Sequence, residues 1–354
     1  MNIINSDMLV LARQLRKMTQ NEVCSKTQIS QGLLSKVENG LKKSLPLEYL
    51  KSLSKLYDFP VSFFYREADL SPVSHLYFRR KLSLSAKIID SFIAKSRIIK
   101  LTLDDLFDAV ELPDYDLGSY NPSETPPQDI ADIIRYKMKV YRGPVPNLVS
   151  LLENHGIVIF KMDFGTDKID GLSTLTNKGY KVIFLNSNMP NDRIRFSLAH
   201  ELGHMVMHMD YPATSVEEAE KQANAFAAQF LMPELEIKHM LYGLNISMLG
   251  ELKRIWKVSM QSIIRRALDL GVITEQTRRG FQIRFSQEKW NKNEPIPLPL
   301  EVPSLISSTI SLYKNELGYT NEDLQKIMGI NQSDFSEWFA PLRSKIIPMA
   351  FPYH

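Results

Sequence analysis

Residues 196–208 read FSLAHELGHMVMH, and this stretch decides how the middle of the chain folds. Apolar residues recur through it at helical spacing, which predicts an amphipathic helix. His200 and His204 stand four residues apart and therefore lie on the same face of that helix, one turn from each other. Two imidazoles in this arrangement can share one zinc ion, with Glu201 beside the position left open for water. The stretch therefore predicts a zinc site with Glu201 as its general base.

A catalytic zinc site needs a third protein ligand, and we expect it on the next helix, predicted from Ser215 to Met232. Glu220 lies there one turn before Asn224, on a face that also carries small alanines. Such small residues let two helices approach closely. Asn224 would accept the second ring N–H of a zinc-bound histidine and so orient it. We therefore predict one zinc ion per chain, held by His200, His204 and Glu220.

Other candidate ligands stand near this set. Glu217 and Glu218 are rivals of Glu220, but Glu218 is expected to form a capping box with Ser215, and Glu217 lacks an Asn partner. His208 continues the series of histidines, yet two turns of helix place it about 12 Å from His200, too far for both to bind one tetrahedral ion. We expect His208 to be a packing or hydrogen-bonding residue.

Composition limits the class of protein. The chain has 354 residues, 44% of them apolar and 23% charged, which excludes intrinsic disorder throughout and allows two or three domains. We find neither a run of eighteen apolar residues nor a signal-peptide pattern, and we expect a cytoplasmic protein that does not contact a membrane. Cys24 is the single cysteine, so an internal disulfide and a cysteine-based zinc site are excluded.

Charge is distributed unevenly, although the net charge is only +3. Residues 1–60 carry nine Lys or Arg and five Asp or Glu, and residues 251–290 carry nine and four. Residues 111–132 hold six acidic residues and no basic one. The basic N-terminal region is therefore the better candidate for contact with nucleic acid.

The order of periodic segments predicts an α+β fold that is predominantly helical. Ile157–Met162 is expected to form a strand, and Gly171–Thr176 and Tyr180–Asn186 a hairpin, which together give a small antiparallel sheet. Short helices alternate with turns from Ser6 to Tyr57, helices are expected over 82–110, and the chain beyond Pro233 reads as all-helical.

The N-terminal region follows the plan of a helix-turn-helix. Residues 19–40 read TQNEVCSKTQISQGLLSKVENG, with a short helix from Thr19, a turn at Ile29 and a second helix from Gln31 to Glu38. We therefore expect a five-helix bundle of the helix-turn-helix type, and a helical bundle that only dimerises is the alternative. On the DNA-binding hypothesis, four residues in the first turns of the recognition helix face the major groove: Gln31, Gly32, Ser35 and Lys36. Three others are placed for backbone phosphates: Gln20, Lys42 and Lys43.

Two later segments have a weaker helix-turn-helix rhythm. They are 256–270, which is rich in Lys and Arg, and 320–339. Charged residues on helices are usually solvated, and for both segments we expect exposed basic or polar helix faces.

The chain resembles the ImmA/IrrE-type metallopeptidases fused to an N-terminal Xre (Cro/cI-like) helix-turn-helix. The resemblance covers roughly residues 6 to 290. Beside 19–40 it rests on five stretches, which are RFSLAHELGHMVMH (195–208), EKQANAFAAQFLMP (220–233), VIFLNS (182–187), GPVPNLVSLLENHGI (143–157) and WKVSMQSIIRRALDLGVI (256–273). It implies a zincin-like, gluzincin-type peptidase domain in which His200, His204 and a Glu of the second helix hold zinc. It further implies cleavage of a repressor-like or antitoxin-like protein.

We therefore expect five regions, which are a helix-turn-helix domain (1–68), a helical connector and linker (69–127), a zinc metallopeptidase domain (128–240), a basic helical extension (241–294) and a helical C-terminal region (295–354). The expected protein is a regulator that binds operator DNA, as a homodimer, and cleaves a regulatory protein. The main alternative is a non-catalytic repressor or antitoxin whose metal domain senses or scaffolds a partner. A third hypothesis is a toxin-neutralising module that binds its partner through the C-terminal helices.

Overall fold

The structure is a computed structural model that describes residues 3–67, 85–291 and 293–339. The start of the expected connector 69–127 and the end of the region 295–354 lie outside these ranges. So do residues 82–84 of the helix expected over 82–110.

The N-terminal unit consists of short helices with polar caps. Thr19 begins the second helix with a capping box, because its side chain accepts from the Glu22 N–H while the Glu22 carboxylate accepts from the Thr19 N–H. The helices are α1 (Ser6–Leu15), α2 (Gln20–Lys26), α3 (Gln31–Glu38) and α4 (Leu47–Tyr57), followed by a 3-10 helix (Val61–Tyr65).

The rest of the chain is helical apart from one small sheet. Before the sheet lie α5 (Ala86–Leu106), α6 (Pro127–Lys137) and α7 (Leu148–Glu153). The strands are β1 (Ile157–Met162), β2 (Gly171–Leu175) and β3 (Lys181–Asn186). After them come α8 (Asn191–Met207), α9 (Val216–Leu231), α10 (Glu234–Ile237), a second 3-10 helix (Lys238–Leu241), α11 (Ile246–Trp256), α12 (Met260–Asp269) and α13 (Glu275–Gln287). The last helices are α14 (Leu305–Asn315), α15 (Asn321–Met328) and α16 (Gln332–Phe339). The predicted fold class, α+β and predominantly helical, is confirmed.

The sheet is mixed, although we predicted an antiparallel one. Its order is β1-β3-β2, with β3 antiparallel to β2, as the hairpin predicts, and parallel to β1. The chain leaves β1 for the far edge of the sheet, and the hairpin then returns it beside β1 in the same direction. β2 is therefore an edge strand.

The sheet separates two hydrophobic cores, because successive side chains of a strand point to opposite faces. Val158, Phe160, Val182 and Phe184 join an N-terminal core with α1–α5 and α14–α16. Ile157, Ile159, Ile183 and Leu185 join a central core with α6–α9 and α11–α13. Both faces are buried, so β1 and β3 read as nearly continuous apolar runs.

Carboxylates fix the proline-containing segment 294–304 to the central helices. Glu294 accepts from the Met260 N–H at the start of α12, at 2.7 Å. Glu301 accepts from the Leu148 N–H at the start of α7, at 2.8 Å. Glu153 in turn accepts from the Leu305 N–H at the start of α14, at 2.9 Å. A carboxylate at a helix N-terminus satisfies backbone donors that have no partner within the helix.

Both later helix-turn-helix-like segments have an exposed polar helix face, as expected, but each also buries a charged residue. In the basic segment Arg266 is buried and donates to the Met232 carbonyl, whereas Arg265 is exposed. In the last segment α16 buries four side chains, Asp334, Phe335, Trp338 and Phe339. These charges and rings are buried because neighbouring elements distant in sequence pack over them. Within the described ranges, no helix combines the length and the apolar character that crossing a membrane requires.

Candidate metal centre and DNA-binding face

The candidate metal centre lies where α8 and α9 pack closely. Gly203 on α8 faces Phe226 on α9, and a Cβ at Gly203 would lie 3.0 Å from a ring carbon of Phe226. Ala223 and Ala227 on α9 are buried. The small residues of the two helices therefore permit the close approach that the sequence predicts.

Three predicted ligands meet across this contact. The Nε2 atoms of His200 and His204 lie 3.0 Å apart. Oε1 of Glu220 lies 3.6 Å from Nε2 of His200 and 3.3 Å from Nε2 of His204. Two atoms bound to one tetrahedral zinc ion at about 2.0 to 2.1 Å are about 3.4 Å apart, so the donor set fits zinc in both chemistry and spacing. Among the residues that the structure describes, these three form the group whose His, Cys, Asp or Glu atoms converge in this way.

The environment of Glu220 also fits a cation. Burial raises the pKa of Glu220 to about 7. A divalent cation beside the carboxylate would favour its ionised form and so oppose this shift. Glu217, a rival in the sequence, is exposed. Glu218, the other rival, is engaged by the amide nitrogen of Gln222, which donates to Oε1 of Glu218 at 3.0 Å.

The ring nitrogens that point away from the cluster have partners as well. Nδ1 of His200 lies 3.0 Å from Oδ1 of Asn224, the contact that we predicted for Asn224. Nδ1 of His204 lies 2.8 Å from Nδ1 of His208, and Nε2 of His208 lies 2.8 Å from Oε1 of Gln222. Burial lowers the pKa of His208, which favours its neutral form. His208 is thus the hydrogen-bonding residue that we expected.

Glu201 is held by the edge strand β2. Its Oε2 accepts from the Ser173 N–H at 2.7 Å. Gly171 lies beneath the same side chain, and a Cβ at Gly171 would lie only 2.8 Å from Cγ of Glu201. Glu201 was predicted from the sequence, but neither of its two neighbours was. The glycine that begins the first strand of the predicted hairpin was the only local signal at these positions.

A cleft of about 830 Å³ begins at Asn224 and runs between α8, α9 and α12. Its walls carry Phe196 and Ala228 beside three exposed cations, Arg193, Lys221 and Arg265. Clefts that combine apolar walls with a few charged groups are the usual form of binding sites. The cleft reaches the metal centre through Asn224, which contacts His200, while the three candidate ligands are not among its lining residues.

The predicted DNA-contact residues lie on α2, on α3 and on the segment after α3. Gln31, Gly32 and Lys36 are exposed on α3, and Ser35 is partly buried. Lys42 and Lys43 are exposed after α3. The side chain of Gln20 is already engaged within the domain, because its amide nitrogen donates to Oε2 of Glu38 at 2.8 Å.

Two lysines that sequence analysis missed lie beside these residues. Lys17 and Lys87 line one groove with Gln20, Asn21 and Gln31, and both are exposed. Lys87 belongs to α5, far along the chain from the helix-turn-helix, and no local pattern could have placed it there.

Comparison with known proteins agrees with this geometry. Residues 9–64 match the helix-turn-helix family model, and residues 152–268 match the model of the IrrE N-terminal-like domain, a peptidase family. The chain is 35% identical over 111 residues to the radiation response metalloprotease IrrE of Deinococcus radiodurans. That match covers 28% of this chain and 32% of the relative. The chain carries a helix-turn-helix domain and an IrrE-like, metallopeptidase-type domain. This confirms the architecture that the resemblance implied.

The IrrE-like match includes every residue of the candidate metal centre. It begins before β1 and ends within α12, so it also contains β2 and most of the cleft. The helix-turn-helix match contains α2 and α3. Both candidate sites therefore lie within segments that match known domain families.

Proposed function

We propose that this chain is a DNA-binding transcriptional regulator whose IrrE-like domain is a zinc-dependent endopeptidase. The observation that carries the proposal is the convergence of His200, His204 and Glu220. Glu201 lies on the same helix as the two histidines. On this proposal the substrate is a repressor-like or antitoxin-like protein. The division into five regions at 1–68, 69–127, 128–240, 241–294 and 295–354 is part of the same proposal.

The chain's own residues have distinct roles in this mechanism. His200, His204 and Glu220 would hold one zinc ion, which would supply Lewis-acid activation of water and of the scissile carbonyl. Glu201 accepts a proton from the attacking water and later delivers it to the leaving amine. The Ser173 N–H holds the Glu201 carboxylate in place between these transfers. Asn224 orients His200.

The N-terminal domain would bind operator DNA as a homodimer. Gln31, Gly32, Ser35 and Lys36 would enter the major groove, while Gln20, Lys42 and Lys43 contact phosphates. Lys17 and Lys87 extend the phosphate-contacting surface, since they line the groove that α2 and α3 share with α5.

Glu201→Gln tests the peptidase proposal. We expect the variant to keep zinc and DNA binding, because Glu201 is not among the three converging ligands, and to lose cleavage. The measurement compares protein N-termini by mass spectrometry in source cells expressing the wild type or the variant. N-termini that appear only with the wild type support the proposal. Identical sets contradict it and favour a non-catalytic regulator whose metal domain senses or scaffolds a partner.

Lys42→Gln and Lys87→Gln test the DNA surface. Each should weaken binding to duplex DNA and reduce the slope of log affinity against log salt by about 1, as expected when one phosphate contact is lost. Lys314→Gln, at an exposed position of α14, is the matched control and should leave the slope unchanged. An unchanged slope for Lys42→Gln would remove the segment after α3 from the proposed DNA interface.

A further inference from the structure

A chain of hydrogen bonds leads from the metal centre to the start of α9. It runs from Nδ1 of His204 to Nδ1 of His208 at 2.8 Å, then from Nε2 of His208 to Oε1 of Gln222 at 2.8 Å. It ends where Nε2 of Gln222 meets Oε1 of Glu218 at 3.0 Å. The proposed function uses only the first of these four residues.

The carboxylate of Glu218, at one end, determines which group donates in every hydrogen bond of this chain. An ionised carboxylate only accepts, so the amide nitrogen of Gln222 must donate to Glu218, and this fixes the orientation of the amide. Oε1 of Gln222 then faces His208 and accepts, so Nε2 of His208 carries a hydrogen.

The hydrogen positions on the two imidazole rings follow from this orientation of Gln222. A neutral imidazole has one N–H, so Nδ1 of His208 is an acceptor once Nε2 is the donor. Nδ1 of His204 must therefore carry the hydrogen of the bond between the two rings. Nε2 of His204 is left with a lone pair that points toward Oε1 of Glu220, at 3.3 Å.

We propose that Glu218, Gln222 and His208 are positioning residues that set the tautomer of His204 and so keep its Nε2 available to the metal. This inference rests on the proposed metal site and deepens it. His200 obtains the same tautomer from one residue, because Oδ1 of Asn224 lies 3.0 Å from its Nδ1 and accepts. With both rings so oriented, the atoms that face each other are acceptors, an arrangement that a divalent cation stabilises.

The contacts of His208 argue against a role as a ligand. Both of its ring nitrogens are within hydrogen-bond distance of side chains other than Glu220. The converging group among the described residues contains His200, His204 and Glu220 and does not include His208. His208 therefore acts on the metal through His204.

Gln222→Met and Gln222→Glu test this chain of hydrogen bonds in the full-length protein. The measurement is the zinc dissociation constant, obtained by competition with a chelator. Methionine has similar length but offers no comparable acceptor, and we expect zinc binding to weaken about 10-fold to 100-fold, the usual effect of losing a residue that orients a metal ligand. Glutamate still accepts from His208 and should retain binding near the wild-type value. Gln287→Met, the same change at an exposed position of α13, is the matched control.

A spectroscopic measurement separates tautomer control from simple packing. Nitrogen-15 chemical shifts of the ring of His204 in metal-free protein should show Nδ1–H in the wild type and in Gln222→Glu, and a mixture of tautomers in Gln222→Met. Wild-type zinc affinity in Gln222→Met, or equal weakening in both variants, would overturn the inference. A wild type that binds no zinc would instead overturn the proposed function, so the two failures are distinguishable.

Discussion

At the scale of single residues, the position of the Glu201 carboxylate depends on the absence of a side chain at Gly171. The ordinary backbone of β2 imposes no positive φ at this position, so the contact with Glu201, rather than backbone strain, makes glycine necessary. A methyl group there would lie 2.8 Å from Cγ of Glu201 and 3.1 Å from its Oε1. The side chain of Glu201 would have to move away from the Ser173 N–H.

Gly171→Ala should therefore lower the free energy of unfolding by about 1 to 3 kcal/mol, as overpacking usually does. The measurement is urea denaturation of the variant alone and in a Glu201→Ala background. Truncating Glu201 removes the crowded atoms, so the same Gly171→Ala change should cost close to nothing there. An equal cost in both backgrounds would show that Gly171 is small for some other reason.

The sequence was sufficient to predict the residues that one helix places together. His200, His204 and the Glu220–Asn224 pair follow from helical spacing alone. Ser173 and Gly171 could not be predicted as neighbours of Glu201, because that contact depends on how β2 lies against α8. Gln222 was missed for a similar reason, since its partner His208 lies on a different helix.

At the scale of elements, the metal centre is assembled by the packing of α8 against α9. Gly203 and Phe226 set the separation of the two helices, and Phe226 also stacks on Phe230 with ring centroids 5.7 Å apart. Glu220 reaches the two histidines only if this separation is kept.

Gly203→Val should weaken zinc binding at least 10-fold, because the branched side chain would force α9 and Glu220 away from α8. The zinc dissociation constant by chelator competition measures this. Gly280→Val on α13 is the matched control, since a Cβ at Gly280 meets nothing within 4 Å. Wild-type affinity in Gly203→Val would show that close packing of these helices is unnecessary for the site.

The bounds of helices and strands were predicted better than the contacts that these elements make with one another. The strands, the hairpin and α9 lie within about two residues of their predicted bounds, since periodicity and caps are local signals. The parallel pairing of β1 with β3 was not predicted, because strand direction depends on the path of the connecting chain. Burial of Lys253 was also missed, since its partners Asp192 and Glu294 are distant in sequence.

At the scale of the whole molecule, the C-terminal helices join the DNA-binding domain to the sheet of the IrrE-like domain. Asp334 on α16 receives two hydrogen bonds from Arg16 at the end of α1, at 2.6 and 3.0 Å. Phe339 packs against Phe160 of β1 with ring centroids 5.7 Å apart. One helix thus contacts both domains.

Asp334→Ala should cost about 2 kcal/mol of the free energy of unfolding, because it leaves a partly buried Arg16 without its carboxylate partner. Glu337→Ala on the same helix should cost less than about 1 kcal/mol, since the Glu337 side chain in its ion pair with Lys95 is 62% exposed. Urea denaturation compares the two. Equal losses would show that the Arg16 ion pair does not fasten α16 to the DNA-binding domain.

This packing could not be predicted from the sequence. The segment 320–339 has the caps and spacing of a solvent-exposed helix pair, and nothing local indicates that Asp334 pairs with a residue near the N-terminus. The two matched domains, in contrast, were predicted because each carries its signature within one continuous segment.

The most direct test of the central claim is the amount of zinc bound per chain, measured by elemental analysis of untagged wild-type protein, Glu220→Gln and the control Glu217→Gln. We expect about one zinc per chain in the wild type and in Glu217→Gln, and a large loss in Glu220→Gln, whose side chain no longer offers a carboxylate. Near-zero zinc in the wild type, even after purification with added zinc, would contradict the account and leave a DNA-binding protein without a metal centre.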